Sequence, residues 1–249
     1  MLKILKAEYR KFFSGKLFIT ILILAIIFPL LSAGLYGLVV RGIDPELFQI
    51  NAEVAFIGSF SPLNNFGFLL LIFMLVILLA DFSQNTIRNK VVAGYSKSTI
   101  YLAGAIFTLS IAFVATTVYV FLNYLLTGLV INFGSGDFLV VFKHWAVGML
   151  ATLAIYAFLQ FVAYTFKTLG ASLGVVIGSL IGSLLIYTII SFRLSESANR
   201  ILTIFVPLLQ IIGSLFGSKD YLWMLLIDGV YVVLLVGFGA FLSKKLDYK

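Results

Sequence analysis

Long runs of uncharged residues dominate the chain. Five of them exceed twenty residues, at 17–40, 54–80, 98–136, 144–166 and 168–192. A sixth run, 221–243, is interrupted only by Asp228. A helix needs about 20 residues to cross the ~30 Å hydrocarbon core of a bilayer, so each run predicts one membrane span. The pattern therefore predicts an all-α polytopic membrane protein with a single transmembrane domain over residues 1–249.

Turn and charge signals around these runs set the limits of six spans. The predicted spans are 17–40, 62–80, 99–131, 144–166, 170–191 and 221–243. The third run is long enough for two spans, but it contains no Pro, and no Gly between Gly104 and Gly128. A hairpin there would leave backbone groups unpaired in lipid, so one long tilted helix is predicted.

An additional apolar segment precedes the last span. Residues 200–218 contain Pro207, Gly213 and Gly217, and only a few residues separate them from the last span. If this segment crossed the membrane, the basic C-terminal end of the chain would lie outside. We therefore predict an outer re-entrant or interfacial segment.

Basic residues favour one orientation. With both termini in the cytoplasm, twelve Lys and Arg residues lie inside and five outside, as the positive-inside rule requires. This bias also accounts for the net charge of +7, because inner loops face anionic lipid, and no nucleic-acid partner is expected.

The composition offers little for catalysis. Hydrophobic residues make up 62% of the chain, cysteine is absent, and His144 is the only histidine. Thiolate sites and His–carboxylate clusters are therefore excluded, so we expect no metal site and no enzymatic activity.

The first sixteen residues predict a basic amphipathic helix. Its apolar side carries Leu2, Leu5, Tyr9 and Phe12, and its basic side carries Lys3, Lys6 and Arg10. Such a helix lies in the cytoplasmic interface, with its apolar side in the acyl boundary. It serves either as a topology anchor or as a lever that links a cytoplasmic partner to the first span.

The main cytoplasmic loop predicts a second short helix, at about 82–94. Asp81 or Ser83 can cap its start, and Gly94 can end it. Ile87, Val91 and Val92 are expected on one face. Ser96 or Ser98 can then cap the third span. An amphipathic helix in so short a loop indicates a docking site.

This loop resembles that of the permease subunit of type-2 ATP-binding-cassette (ABC) exporters. The resemblance is carried by an acid, a Thr-Ile-Arg step, a glycine and a Ser-Lys pair that opens the third span. The matching residues are Asp81, Thr86, Ile87, Arg88, Gly94, Ser96 and Lys97. Asn85 replaces the usual glycine, and asparagine tolerates the same left-handed backbone. In that family the loop is the coupling helix, which seats in the ATPase subunit.

The resemblance implies a role and partners. The chain has no G-x-x-x-x-G-K-[ST] loop, so ATP and Mg would be bound by a separate ATPase subunit. Two such subunits and a second permease copy or a paralogue would complete the complex in the bacterial cytoplasmic membrane. The implied cargo is amphipathic peptides, peptide antibiotics or related lipophilic compounds. The alternative is a secondary transporter or channel without an ATPase, which the scarcity of intramembrane charge and the lack of an inverted repeat disfavour.

Two sets of residues in the spans are candidates for the translocation route or a helix interface, and one acid lies within a span. In the fifth span, Gly170, Gly174, Gly178 and Gly182 recur every four residues, which suits packing within the chain, a subunit interface or the route wall. Asn64, Asn65 and Ser179 are further candidates for the wall, on the resemblance. Asp228 predicts either a salt bridge with Lys219 or Arg200, or a proton relay.

Overall fold

A computed structural model of the protein describes residues 1–42, 51–134, 137–213 and 220–245. All regular structure in these residues is helical, which confirms the predicted all-α class. The helices are α1 (Leu2–Phe13), α2 (Lys16–Gly42), α3 (Ala52–Gly58), α4 (Asn65–Ser83), α5 (Thr86–Val92), α6 (Lys97–Val130), α7 (Phe138–Phe166), α8 (Leu169–Ser191), α9 (Glu196–Phe205), α10 (Pro207–Gly213) and α11 (Tyr221–Ser243).

Six of these helices are long and apolar enough to cross a membrane, which confirms the predicted polytopic architecture. They are α2, α4, α6, α7, α8 and α11, with mean hydropathies from 1.9 to 2.6. The bounds of α11 match the prediction, whereas α7 begins at Phe138 rather than at 144. Asp137 explains the earlier start, because its carboxylate accepts a hydrogen bond from the Leu139 amide at 2.9 Å and caps the helix.

The third span is one continuous helix of 34 residues, with no hairpin. At 1.5 Å per residue it is about 51 Å long, so it extends well beyond a ~30 Å hydrocarbon core. Together with α7 it forms the centre of the bundle, against which α1, α2, α3 and α11 pack.

Buried polar side chains connect these helices. Thr108 of α6 donates to Gln160 of α7 at 2.8 Å. Asn123 of α6 accepts from Ser32 of α2 at 2.7 Å and donates to Ser59 beside α3 at 2.5 Å. Hydrogen bonds of this kind between membrane helices contribute about 0.6 kcal/mol each and fix which helix faces meet.

An additional short helix, α3, precedes the predicted second span. Asn51 caps α3 by accepting a hydrogen bond from the Val54 amide at 2.9 Å. The chain then turns before α4, and Gly67 permits this turn, because a Cβ there would lie 2.4 Å from the Ser61 carbonyl oxygen. The apolar run 54–80 is thus divided between two helices.

The helix α1, the C-terminal half of α11 and the α4–α6 connection lie at one end of the bundle, called here the α1 end. Lys11 of α1 contacts Asp81 in the last turn of α4 at 2.7 Å. At the start of α6, the Tyr101 hydroxyl donates to the Leu235 carbonyl of α11 at 3.5 Å. The C-terminal half of α11 therefore lies beside the N-terminal end of α6.

Two short helices, α9 and α10, precede the last span. Val206 between them is extended, and Pro207 begins α10. α10 packs against α7, and Arg200 of α9 forms a bidentate pair with Asp220, with one contact of 2.6 Å. This ion pair raises the pKa of Arg200 and lowers that of Asp220. Re-entry of this segment into the membrane stays a prediction, and residues 214–219 lie outside the described residues.

Candidate functional site

The short helix α5 begins at a left-handed residue. Asn85 has φ 55° and ψ 19°, the backbone conformation that asparagine tolerates and that the sequence led us to expect. Neither Asp81 nor Ser83 caps α5, contrary to the prediction, because α4 continues through Ser83. The helix occupies Thr86–Val92 and is therefore shorter than the predicted 82–94.

The end of α5 follows the predicted signals. Gly94 has φ +87°, and the Tyr95 amide donates to the Lys90 carbonyl at 3.2 Å. The Ser96 hydroxyl then accepts from the Thr99 amide at 3.2 Å and caps α6, of which Lys97 is the first residue. Glycine favours this end of the helix, because side chains rarely adopt a φ of +87° and any side chain at position 94 would be strained.

The helix α5 has one face in the protein and one face free. Ile87 is 1% exposed and packs in the hydrophobic core, whereas Val92 is 81% exposed. The predicted shared face of Ile87 and Val92 is wrong, because five residues rotate a helix by about 140°. Val92 instead lies on the exposed surface with Arg88 and Asn89, which together form the free face of α5.

Four charged side chains join α5 to α1 and α4. This charge cluster consists of Glu8, Lys11, Asp81 and Lys90. Lys90 contacts Asp81 at 2.7 Å and also pairs with Glu8, and Lys11 contacts the other oxygen of Asp81 at 2.7 Å. The side chain of Lys11 is 46% exposed, whereas those of the other three are 11 to 15% exposed. Lys90 is thus the shared cation of two acids.

Burial and charge act in opposite directions in this cluster. Burial disfavours the charged ammonium of Lys90, but Asp81 and Glu8 outweigh it, so the pKa of Lys90 is raised. Burial and the neighbouring charge of Asp81 raise the pKa of Glu8 more than Lys90 lowers it. Lys90 therefore remains charged at neutral pH and holds two acids that would repel each other without it.

Sequence reasoning did not find this cluster. Glu8 and Lys90 are 82 positions apart and belong to separate segments. A signal was present, because Glu8 is the only acid in the first 43 residues, and an acid within a basic helix needs a partner. The sequence assigns Asp81 to a helix cap and to the coupling motif, whereas the structure makes it the ion-pair partner of Lys11 and Lys90.

The glycine ridge of α8, Gly170, Gly174, Gly178 and Gly182, faces away from the bundle. A Cβ added at any of the four would meet no atom within 4 Å. The buried stripe of α8, Ser172, Val176 and Leu180, lies on the opposite face. Packing of the ridge within this chain, one of the three alternatives, therefore does not occur in the described residues.

Ser179 lies apart from the ridge, in a cavity. This cavity, of about 260 Å³, lies between α7, α8, α11 and the α9–α10 segment. Ser179 and Ser183 line it together with Pro207 and Tyr231. Both serine hydroxyls donate to carbonyls of their own helix at 2.8 Å.

The two asparagines at the second span are placed at its start. Asn64 donates from its side-chain amide to the Gly58 carbonyl at 2.7 Å, which stabilises the turn between α3 and α4. Asn65 is the first residue of α4 and is exposed. A role of either residue in the translocation route stays a prediction.

Asp228 is fully buried and has a neutral partner. Gln210 of α10 donates to one carboxylate oxygen of Asp228 at 3.0 Å. The other oxygen of Asp228 and the side-chain oxygen of Gln210 are buried without a hydrogen-bond partner. The predicted salt bridge with Arg200 is wrong, because Arg200 pairs with Asp220. Lys219, the other predicted partner, lies outside the described residues.

No protein-family model matches the chain, and no curated protein is significantly similar to it. Function must therefore be inferred from the residues and their geometry. Within the described residues, no group of three or more His, Asp or Glu side chains could hold a metal ion.

Proposed function

We propose that this chain is the permease subunit of an ABC exporter, and that α5 is its coupling helix. The observation that supports the proposal most is the division of α5 into an anchored side and a free side. Ile87 and Lys90 attach the helix to the bundle, while Arg88 and Val92 lie exposed. A partner that docks on this free face would therefore contact an apolar and a basic side chain together.

Anchoring matters because coupling is mechanical. A force applied to the free face of α5 reaches α4 through the Lys90–Asp81 pair and reaches α1 through the Lys90–Glu8 pair. A helix connected by exposed side chains alone would move without moving the spans. The matched residues Thr86, Ser96 and Lys97 flank this unit and would fix its ends.

The partners follow from the proposed role. ATP and Mg would be bound by two separate ATPase subunits, because this chain has no phosphate-binding loop. A second permease copy or a paralogue would complete the complex. The outward glycine ridge supports such a partner, since small residues permit close helix approach.

Location and cargo belong to the same proposal. The chain would lie in the bacterial cytoplasmic membrane with both termini in the cytoplasm, so that the α1 end faces the ATPase. The cargo would be amphipathic peptides, peptide antibiotics or related lipophilic compounds, moved outward. The cavity at Ser179 is apolar for the most part, which suits cargo of this kind.

The test is substrate-stimulated ATP hydrolysis by the complex reconstituted in liposomes. Arg88→Glu reverses the charge of the free face, and Gly94→Val strains the end of α5. Both variants should insert normally and lose most of the stimulation. Arg193→Glu, at an exposed arginine that follows α8, is the control and should retain it. Full stimulation in both α5 variants would rule out α5 as the coupling helix.

A secondary transporter is the second candidate, and Asp228 is the observation that favours it. Buried acids within membrane spans often carry protons or bind ions. In that case Asp228→Asn would abolish transport driven by a proton gradient with no ATPase present. For an ABC permease, Asp228→Asn should leave ATP-driven transport intact.

A further inference from the structure

We propose that a groove between α1, α2 and α6 binds one anionic phospholipid from the membrane leaflet that contains α1. The groove holds an acyl chain, and the unpaired bases of α1 hold the phosphate. This site goes beyond the proposed function and does not depend on an ATPase.

The walls of the groove are apolar and formed by three helices. Phe12 of α1, Ile21 and Ala25 of α2, and Ile111 of α6 are each 3 to 6% exposed and form the inner surface. The groove has a volume of about 190 Å³. Its outer rim is open, because Val114 of α6 is 57% exposed.

The groove runs along the spans for a distance that suits an acyl chain. Its lining on α2 begins at Phe18 and ends at Ala25. Seven residues of helix rise about 10 Å, which is a large part of the ~15 Å hydrocarbon depth of one leaflet. Tyr9 of α1 lines one end of the groove and hydrogen-bonds to Ser110 of α6. Water cannot stabilise such a surface, whereas an acyl chain fills it.

The bases of α1 divide into two groups. Lys11 faces the bundle and pairs with Asp81. Lys3, Lys6 and Arg10 are exposed, and no acid among the described residues lies within ion-pair distance of them. On a helical wheel, Lys6 and Arg10 lie about 60° and 100° from Tyr9, beside the groove. A lipid chain in the groove thus places its phosphate near these two bases.

The charge and the groove together select an anionic lipid. Juxtamembrane bases attract anionic head groups, and each contributes to binding near the membrane surface. The apolar side of α1 is not free to insert into lipid along its whole length, because Ile4 and Phe12 are buried in the core. Lipid contact by the C-terminal half of α1 is therefore made at the groove, which Tyr9 and Phe13 line.

The test is native mass spectrometry of the full chain in detergent, titrated with phosphatidylglycerol or with phosphatidylcholine of the same acyl chains. We expect one phosphatidylglycerol to be retained more tightly than phosphatidylcholine. In Lys6→Gln/Arg10→Gln the preference for phosphatidylglycerol over phosphatidylcholine should fall by about 30-fold, because each juxtamembrane base contributes about a fivefold increase in affinity for anionic lipid. The control Lys244→Gln/Lys245→Gln removes two exposed bases after α11, and should leave the preference unchanged.

A second variant tests the groove itself. Val114→Trp places a large side chain at the exposed rim without altering charge, so it should fold and should weaken retention of both lipids. Equal retention of the two lipids by the wild-type chain would overturn the proposal. Unchanged preference in Lys6→Gln/Arg10→Gln would also overturn it. Normal retention in Val114→Trp would show that lipid binds at the surface of α1 and not in the groove.

Discussion

At the scale of single residues, two buried polar side chains within the spans are only partly satisfied. Gln160 accepts from Thr108 across the α6–α7 contact, but its side-chain nitrogen is buried without a hydrogen-bond partner. Asp228 receives one hydrogen bond from Gln210, and one oxygen of each side chain is left unpaired. Unpaired buried polar atoms are costly, so the Asp228–Gln210 pair does not exist for stability alone.

The first prediction concerns this pair. Asp228→Asn replaces the carboxyl group with an amide whose N–H groups can donate to the oxygen of Gln210, so the variant should be as stable as the wild type or more stable. Gln210→Leu removes the hydrogen bond to the carboxylate and should cost about 2–3 kcal/mol. Thermal unfolding in detergent measures both. A large loss of stability in Asp228→Asn would show that the carboxylate itself holds the α10–α11 contact.

Local residue properties were predictable, and distant partners were not. The left-handed backbone at Asn85 and Gly94 follows from residue type and its position beside a short helix. The contact between Asp228 and Gln210 joins residues 18 positions apart on two helices. Hydrophobic periodicity predicts which face of a helix is buried, but it does not predict which other helix packs against that face.

At the scale of helices, α1, α4 and α5 form one mechanical unit. The sequence predicted α1 and α5 as two amphipathic helices, each facing lipid or a partner. Instead, Ile4 and Ile87 both pack in the core, and the charge cluster joins the two helices directly. Hydrophobic pattern identified these helices, but it could not place them side by side.

The second prediction tests the charge cluster. Lys90→Met leaves Glu8 and Asp81 as two largely buried acids without their shared cation, which should cost about 2–3 kcal/mol. Lys11→Met removes a half-exposed partner and should cost less than about 1 kcal/mol. Thermal unfolding gives the comparison. Adding Glu8→Gln to Lys90→Met should restore part of the loss, and equal losses in the two lysine variants would contradict this assignment.

The third prediction concerns pH. Because the pKa of Lys90 is raised, its ammonium contributes to folding stability below the usual value of 10.5, and this contribution is lost as pH rises through the raised pKa. Because the pKa of Glu8 is raised, the protonated form of Glu8 contributes to folding stability below 4.5, and this contribution is lost as pH rises through the raised pKa. Protonated Glu8 has no charge for Lys90 to neutralise, so the loss of Lys90 matters less at low pH. The difference in melting temperature between the wild type and Lys90→Met should therefore be widest from neutral pH to about pH 10 and narrow on either side. A difference that does not vary with pH would exclude charge as its cause.

At the scale of the whole molecule, the lengths of the uncharged runs predict the six spans. Six spans follow from run length, because lipid excludes charge and unpaired backbone groups. The short helix α3 does not follow, since it is shorter than a span and its apolar residues merge with the run 54–80, whereas α10 and the second half of α9 fall within the segment predicted at 200–218. Orientation rests on the distribution of Lys and Arg and stays a prediction.

The fourth prediction tests that orientation. The chain has no cysteine, so single cysteines can be introduced without background. In whole cells, Asp137→Cys and Glu196→Cys should react with an impermeant thiol reagent, and Asn89→Cys should not. Labelling after membrane permeabilisation is the control, because all three exposed positions should then react. The reverse pattern would place the α1 end outside and exclude an ATPase partner there.

The last prediction concerns the glycine ridge, the surface through which this chain would meet another. Gly178 has open space beside it, whereas a Cβ at Gly239 would lie 2.0 Å from the Tyr101 hydroxyl oxygen. Gly239→Leu should therefore disrupt packing, whereas Gly178→Leu should fold normally, and helix propensity even favours it by up to about 1 kcal/mol. Any loss of transport in Gly178→Leu must then come from the subunit interface or the translocation route, and not from misfolding of the chain.

Crosslinking separates the two remaining roles of the ridge. If Gly174→Cys or Gly178→Cys joins two copies of the chain, the ridge is a subunit interface, and Gly178→Leu should abolish transport by holding the copies apart. If these cysteines react with small reagents alone, the ridge lines the route, and Gly178→Leu should block it. Full transport by Gly178→Leu, in a variant with unchanged thermal stability, would mean that the ridge faces lipid and serves neither role.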